Sequence, residues 1–593
     1  MALHQRARLA EAAQIYQAIL RLQPLAFEPL HLLGVIALQT RQPQQSLELF
    51  AKAISVNPNV AAAYCNRGLA LQALNRFAEA LESFDKALAI NAKFAEAYSN
   101  RAIALSAMGQ NEQALASCDK ALALKPDYAE AYNNRARALN ALKRHAEALA
   151  SCDRAIALLA TCTEAHNNRG IALNALMRHA EAIASYDDAI AARPKYPEAY
   201  NNRGCALYNL GRAEEALSNY DTAIALMPDY AAAHNNRGSV LRLLARHAEA
   251  AASYDKAIVL NPAYVDALFN KSLLLLAQGR FEEGWPLYEV RKKKVASIAR
   301  HDVKPQWSGR QDLSGKTILL YAEQGLGDTI QFCRYVPLVA ALGARVVLEV
   351  PRALTNLLSS LTGVAQVVEQ GAALPEFDFQ SALMSLPSAF KTTLSTIPAH
   401  APYLACDSKK ALAWAQRLGE KAGPRVGLVW SGGLRADQPE TWAVNKRRNI
   451  PLASLAPLAQ PHIAFYSLQK GEPAESELAE VKKNGWDGPE IADLTGELKD
   501  FSDTAALINS LDLVISVDTS TAHLAGAMGK PVWILNRFDG CWRWLLERPD
   551  SPWYPTARLY RQEAADDWAT VIARVTADLQ RFSAAHRRPD LPS

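Results

Sequence analysis

AAAYCNRGLALQALNRFAEALESFDKALAINA, residues 61–92, decides the fold of the first half of this chain. Its Asn66 returns as Asn100, Asn134, Asn168, Asn202, Asn236 and Asn270, always 34 residues on and without insertion or deletion. A fixed period of that length is the signature of stacked helix–turn–helix units, each able to bury its apolar face only against its neighbours. Within the unit Tyr64, Gly68, Ala80, Phe84 and Ala87 stand where one helix must be large, tight or small to seat the other. Proline closes the equivalent turn at Pro58, Pro126, Pro194, Pro228 and Pro262. The stretch before residue 58 keeps the framework in weaker form, with Gly34 and Pro24 in phase, as a capping unit should.

The repeat resembles the tetratricopeptide repeat, and the reading predicts a superhelix over residues 1–283. One asparagine per unit, placed in the first helix, becomes a row of amide donors and acceptors along the stack. Such a row can hold an extended peptide by its backbone; it can equally bridge neighbouring helices. The row resembles the asparagine ladder of the O-GlcNAc transferase superhelix, which implies acceptor-peptide binding by Asn66, Asn100, Asn134, Asn168, Asn202, Asn236 and Asn270. The residue after it departs from that pattern, being Arg67, Arg101, Arg135, Arg169, Arg203 and Arg237, which brings positive charge or structural ion pairs.

With 593 residues the chain has room for more than one further domain. All eleven tryptophans lie at or beyond Trp285, so the character changes at 281–307 and a linker is expected at 284–312. The run Arg291-Lys292-Lys293-Lys294 reads as a solvated helix end, and a net charge of +4 argues against a nucleic-acid partner. A charged N-terminus and the absence of an apolar run of about 18 residues predict a cytoplasmic protein without a membrane span. Eight scattered cysteines indicate no disulfide framework, and twelve dispersed histidines give no metal-ligand spacing.

After Gly315 the pattern becomes strand, glycine turn, helix. Residues 316–322 (KTILLYA) read as a buried strand, Gly325-Leu326-Gly327-Asp328 as a tight turn and 329–342 as a helix. Strands at 345–350, 425–430, 463–468, 513–517 and 531–535 extend this to two parallel-sheet domains, at 313–408 and 424–560, with a break at 407–424 and a C-terminal helix and tail at 561–593. Ile330 replaces the third glycine of a dinucleotide fingerprint, so oxidoreductase chemistry has weak support. Gly325 and Gly327 require a sharp backbone turn or a close approach. Asp328 then stands at a strand's carboxyl end, where a helix N-cap and a catalytic carboxylate are both natural roles. At Ser516 to Ala525 a second strand runs into a hydroxyl-rich helix start. There Asp518, Thr519, Ser520 and Thr521 could cap or bind an anion, with His523 one turn further in.

The GLGD turn together with D-T-x-x-x-H-L-A at 518–525 resembles glycosyltransferase family 9, the heptosyltransferase group. The resemblance covers about residues 313–560 and implies a GT-B fold of two Rossmann-like domains, acceptor side first and nucleotide-sugar donor side second. It implies Asp328 as general base, and Asp518, Thr519 and His523 at the donor phosphates with Ser520 and Thr521 beside them. Lys446, Arg447 and Arg448 stand in the comparable basic loop, and Lys470 follows the next strand. Neither a metal nor a cofactor is implied beyond the nucleotide sugar as co-substrate. With a peptide-binding solenoid attached, the architecture resembles bacterial tetratricopeptide glycosyltransferases, including those that modify flagellin. The expected reaction is inverting transfer of a sugar to a protein hydroxyl. UDP-, CMP-, ADP- and GDP-activated sugars all remain open, as do a cell-surface glycan acceptor and a scaffold with an inactive sugar-nucleotide fold.

Overall fold

The computed structural model describes residues 8–294, 301–433 and 447–586. They fall into two compact units, Met1–Val240 and Leu241–Ser593. The first is a solenoid of paired helices, such as Ala61–Ala73 with Phe77–Ile90 and Ala129–Ala141 with His145–Leu158. Between the helices of a pair the chain turns through one left-handed residue, at Arg41, Asn75, Gly109, Lys143, Met177 and Gly211. Glycine takes that conformation without the Cβ clash the other residues tolerate.

Inside each pair the packing is a size exchange. A Cβ on Gly68 would fall 2.5 Å from the Phe84 ring, and one on Gly170 would fall 2.4 Å from Tyr186. Where the glycine becomes Ala102 or Ala136, the facing aromatic becomes Cys118 or Cys152, all four residues fully buried or nearly so. These cysteines are therefore volume compensation in a close-packed seam, and burial pushes both thiols up to about 12.

The second unit opens on further repeat helices, His247–Leu260, Val265–Ala277 and Phe281–Tyr288. Two parallel sheets follow. The first has the order β3-β2-β1-β4, with β1 Thr317–Tyr321, β2 Arg345–Val350, β3 Val364–Glu369 and β4 Phe379–Ala382. The second has the order β10-β9-β8-β5-β6-β7, with β5 Arg425–Val429, β6 Ala464–Ser467, β7 Ile491–Asp493, β8 Leu513–Val517, β9 Val532–Asn536 and β10 Ala557–Arg561. This is the solenoid followed by an α/β region of two Rossmann-like sheets that the sequence predicts. Strands β3, β4, β7 and β10 are not among the predicted strands: β4 and β7 have four and three residues, and β3, with one buried residue, and β10, with an exposed one, show no continuous buried apolar run.

Three local expectations need correction. The helix expected at 329–342 begins at Leu326 and is cut into Leu326–Phe332, a 3-10 turn at Cys333–Tyr335 and Val336–Ala340. The break at 407–424 holds a helix, Ser408–Leu418, whose N-cap Asp407 accepts the Lys410 amide at 2.9 Å. Arg291 is no solvated helix end: its side chain is 2 % exposed and pairs with Glu323 at 2.6 Å and Glu289 at 2.7 Å. Around it an aromatic cluster joins the last repeat helix to the α/β region, with Trp285 5.3 Å from Trp542 and 6.4 Å from Trp553. The Leu546 amide also donates to the Ala277 carbonyl at 3.1 Å.

Candidate active site

Strand β1 ends at Tyr321 and delivers the chain to Gly325, which caps helix Leu326–Phe332. Asp328, three residues on, accepts the Gly325 N–H at Oδ2 over 3.0 Å, so one carboxylate oxygen closes the turn. The other, Oδ1, takes the guanidinium of Arg543, a residue 215 positions away in the turn Trp542–Trp544 beyond β9. Gly327 has a different task. A Cβ there would lie 2.8 Å from His523 Cδ2, so what approaches this backbone closely is the His523 ring.

In the second sheet β5 has β6 on one side and β8 on the other, which makes the gap beyond the carboxyl ends of β5 and β8 a topological switch point. The residues there converge. Arg448 Nη1 donates to the Asp518 carbonyl at 3.0 Å, and Gly432 leaves room for the same guanidinium, since a Cβ would fall 1.9 Å from Nη2. Gln469 holds the loop after β5, its Oε1 accepting the Trp430 and Ser431 amides at 3.2 and 2.9 Å. Arg447 pairs with Asp539 at 3.1 Å. Lys446 lies outside the described residues, and Lys470 points its ammonium to the Thr495 carbonyl at 3.3 Å and to that of Leu498.

Helix Ser520–Ala527 starts from Thr519, which makes no side-chain capping bond; its hydroxyl pairs with Ser516 Oγ at 2.9 Å. The hydroxyl of Thr519 thus leaves the first-turn amides to other partners, and these amides carry the positive end of the helix dipole. Ser520 is half-buried and Thr521 buried at the same turn. His523 is 4 % exposed, stacks on Trp544 with centroids 5.1 Å apart, and hydrogen-bonds Tyr554 through Nδ1 at 2.9 Å. Its Nε2 stands 3.8 Å from Asp518 Oδ1. Burial lowers its pKa to about 4 against the attraction of Asp518, so the ring is neutral near pH 7. For Arg543 burial is the largest influence and opposes the charge, but the Asp328 carboxylate together with Cys541 and Tyr288 outweighs it and raises the pKa.

Sequence reading missed several members of this group. Arg543 carried a signal in Trp542-Arg543-Trp544, a base between two aromatics just past a strand end. Arg334 gave none: it is buried, donates to the Trp553 carbonyl at 2.7 Å and Tyr403 Oη at 2.9 Å, and so ties the first sheet's helix to the second sheet's loops. Asn536, at the end of β9, is 1 % exposed with both amide atoms unpartnered among the described residues.

In the solenoid unit each asparagine of the row bonds to the residue that precedes the row position one repeat earlier. Asn134 Nδ2 donates to Ser99 Oγ at 3.0 Å, Asn168 to Asn133 Oδ1 at 2.8 Å, Asn202 to Asn167 and Asn236 to Asn201 at 3.0 Å each. Asn66 meets His31 at 3.0 Å and Asn100 meets Cys65 Sγ at 3.7 Å. Each rung therefore reaches back one repeat. The arginine row is structural too: Arg101, Arg135, Arg169 and Arg237 pair with Asp85, Asp119, Asp153 and Asp221 at 2.6–2.8 Å. Asn270 belongs to helix Val265–Ala277 of the second unit.

Tetratricopeptide-repeat models match residues 61–94, 95–128, 117–150, 178–211, 201–264 and 244–290. The model of glycosyltransferase family 9 (heptosyltransferase) matches residues 457–535, a span that takes in Lys470 and the 518–523 motif but ends before Arg543 and begins after Asp328 and Arg448. Protein FlbA of Caulobacter vibrioides is 33% identical over 337 residues, which cover 53% of this chain and 54% of FlbA. The chain thus spans about half the length of that curated relative. Among solved structures, the APC/C hetero-tetramer Cut9-Hcn1 aligns with a TM-score of 0.40 at 18% identity, over 46% of this chain and 54% of that one. A tetratricopeptide repeat protein from Parabacteroides merdae aligns with a TM-score of 0.36 at 19% identity, over 42% of this chain and 98% of that one. No helix of the described residues is long and apolar enough to cross a membrane. The chain is thus similar to tetratricopeptide-repeat proteins over its first half and, at residues 457–535, to glycosyltransferase family 9, which supports a glycosyltransferase.

Proposed function

We propose that the chain transfers a sugar from a nucleotide-sugar donor to a hydroxyl of a protein acceptor held by the solenoid groove. The observation that carries this reading is the meeting of one carboxylate from the first sheet, Asp328, with cations and helix amides from the second, at Arg543, Arg448 and the start of Ser520–Ala527. Glycosyl transfer needs both: a base for the acceptor proton and positive groups for the charge that develops on the departing phosphate. Asp328 takes the proton as the acceptor oxygen bonds to the anomeric carbon. The bond from that carbon to the phosphate oxygen breaks, and its electron pair leaves with the nucleotide. A single displacement inverts the anomeric centre. Asp518, Thr519, Ser520, Thr521, His523, Arg448 and Lys470 form the donor side in this reading, with the neutral His523 acting as a hydrogen-bonding and packing group rather than a cation. The asparagine row offers its remaining acceptor positions to a peptide, and the partition at 1–283, 313–408 and 424–560 assigns peptide, acceptor hydroxyl and donor to successive regions. Flagellin is one acceptor such an architecture would suit.

A thermal-shift screen with UDP-, CMP-, ADP- and GDP-sugars tests the reading. A ligand at 100 times its Kd stabilises by about 2.7 kcal/mol. A stabilising donor, followed by transfer to a protein but not to a lipid-linked glycan, is the expected result. Silence across all four classes would return the chain to a scaffold with an inactive sugar-nucleotide fold.

A further inference from the structure

We propose that Asp328 and Arg543 form a latch opened by the donor: the phosphate of an incoming nucleotide takes the Arg543 guanidinium and thereby releases the carboxylate for the acceptor. This rests on the glycosyl-transfer reading above and adds to it an order of events and a role for a residue outside the family-model match.

The two ends of the ion pair are unequally fixed. Asp328 is held at Oδ2 by the Gly325 amide at 3.0 Å and sits on a helix, so it cannot follow a departing partner. Arg543 is a long side chain in a one-turn 3-10 segment. Its bonds are few for five N–H donors: Asp328, and Cys541 Sγ at 3.0 Å, a weak acceptor. Its Cζ lies over the Trp542 ring, 4.4 Å from the centroid. Its Nε is buried with no partner among the described residues, although the side chain as a whole is only 10 % exposed. A guanidinium that is nine-tenths buried, seated over an indole and with Nε short of an acceptor is preorganised to take an oxyanion.

The donor side of the site lies within reach. A Cβ on Gly327 would lie 2.8 Å from His523 Cδ2 and 3.4 Å from Ser520 Cα, and His523 Nε2 stands 3.8 Å from Asp518 Oδ1, so the start of helix Ser520–Ala527 lies against the turn that carries Asp328. A diphosphate seated at that helix start carries two negative charges against the one on Asp328, and even a single phosphodiester presents two non-bridging oxygens to the fork. While Arg543 stays on Asp328, Oδ1 is paired with the guanidinium and Oδ2 with the Gly325 amide, so each oxygen has one lone pair engaged and the carboxylate is a poorer acceptor for the incoming proton, which guards the donor site against premature chemistry. The expected kinetic order is donor first, acceptor second.

The latch predicts an affinity change of unusual sign. UDP, GDP, ADP and CMP are each titrated by calorimetry into the full-length protein and its variants, with melting curves as a check on folding. For whichever nucleotide binds, Asp328→Asn should tighten binding by about tenfold, because the phosphate no longer competes with a carboxylate for Arg543. Arg543→Ala should weaken it by at least about tenfold, and in the double variant the gain from Asp328→Asn should vanish, the mark of direct coupling. Arg543→Lys, which keeps the charge but not the fork, should recover part of the affinity and covers the case in which the alanine variant does not fold. Unchanged or weaker binding by Asp328→Asn, or an unchanged affinity in Arg543→Ala, overturns the latch while leaving a donor site in place. Failure of all four nucleotides to bind either the wild type or Asp328→Asn overturns the donor reading itself, and the latch with it.

Discussion

Along the solenoid a polar side chain finds its partner 16 or 35 residues away, as Arg135 finds Asp119 and Asn168 finds Asn133; around Asp328 the partner is 215 residues away. Both regions pair charged and amide groups, but the ion pairs of the repeats lie at the surface and the one at the α/β site largely out of solvent, and the pairing arises differently. In the repeats, partners sit at a fixed offset, so each copy satisfies the next and the solution is printed in the period. At the α/β site nothing repeats, and satisfaction depends on two sheets bringing unrelated loops together. Paired periodic groups build a scaffold, yet neither region is fully satisfied: among the described residues Arg137 Nε and Nη2 in the repeats are buried without a partner, as Arg543 Nε and the Asn536 amide are at the α/β site.

The sharpest way to break that contrast is Asp328→Asn. The amide keeps the Gly325 contact but cannot accept a proton, so transfer should fall by about 10² to 10⁴ while the fold survives. Near-normal turnover in a purified assay would make Asp328 only the cap of its own helix. Next comes the asparagine row. Replacing Asn134, Asn168, Asn202 and Asn236 by Ala removes four inter-repeat rungs at about 0.5 to 1.5 kcal/mol each, or about 2 to 6 kcal/mol if they add. Calorimetric melting should register that loss; a quadruple variant with unchanged melting but failed protein transfer would show that the row serves the peptide rather than the stack.

The third test uses protons. His523 titrates at about 4 in the fold, and its ordinary value is 6.5. Between those values the unfolded chain binds more protons than the folded one, so stability falls as pH drops from about 6.5 toward 4, by on the order of 3 kcal/mol over the whole window. Denaturant unfolding of the wild type and His523→Asn across that range should show the variant losing less; parallel curves would mean that His523 is not held neutral by burial. The smallest expected effect belongs to the repeats. Gly204→Ala places a Cβ 2.7 Å from the Tyr220 ring and should cost about 1 to 3 kcal/mol. Adding Tyr220→Cys, the combination already present at Ala136 and Cys152, should recover part of it.

How much of this was legible follows from the same contrast. The solenoid could be read from Asn66 and its copies because a repeated offset is a one-dimensional signal. Strands β2 and β8 could be read to the residue because both are buried apolar runs ending at turns. Gly327 and His523 were each singled out, but no spacing could reveal that the glycine is small because the histidine ring lies on it, 196 positions later. Nor could the sequence expose Arg291, which reads as part of a basic run and is buried against Glu323.

By itself, then, the sequence determined the period, the helix pairs, the size exchange between Gly68 and Phe84 or Ala136 and Cys152, and the two motifs at strand ends, since each depends on neighbours in the chain or on a fixed repeat. The tertiary structure alone decided that Arg543 holds Asp328, that Arg448 reaches the Asp518 carbonyl and that His523 is buried and neutral. Those relations depend on distance and burial in three dimensions, and in a non-repeating α/β fold the chain separation between partners carries no information about either.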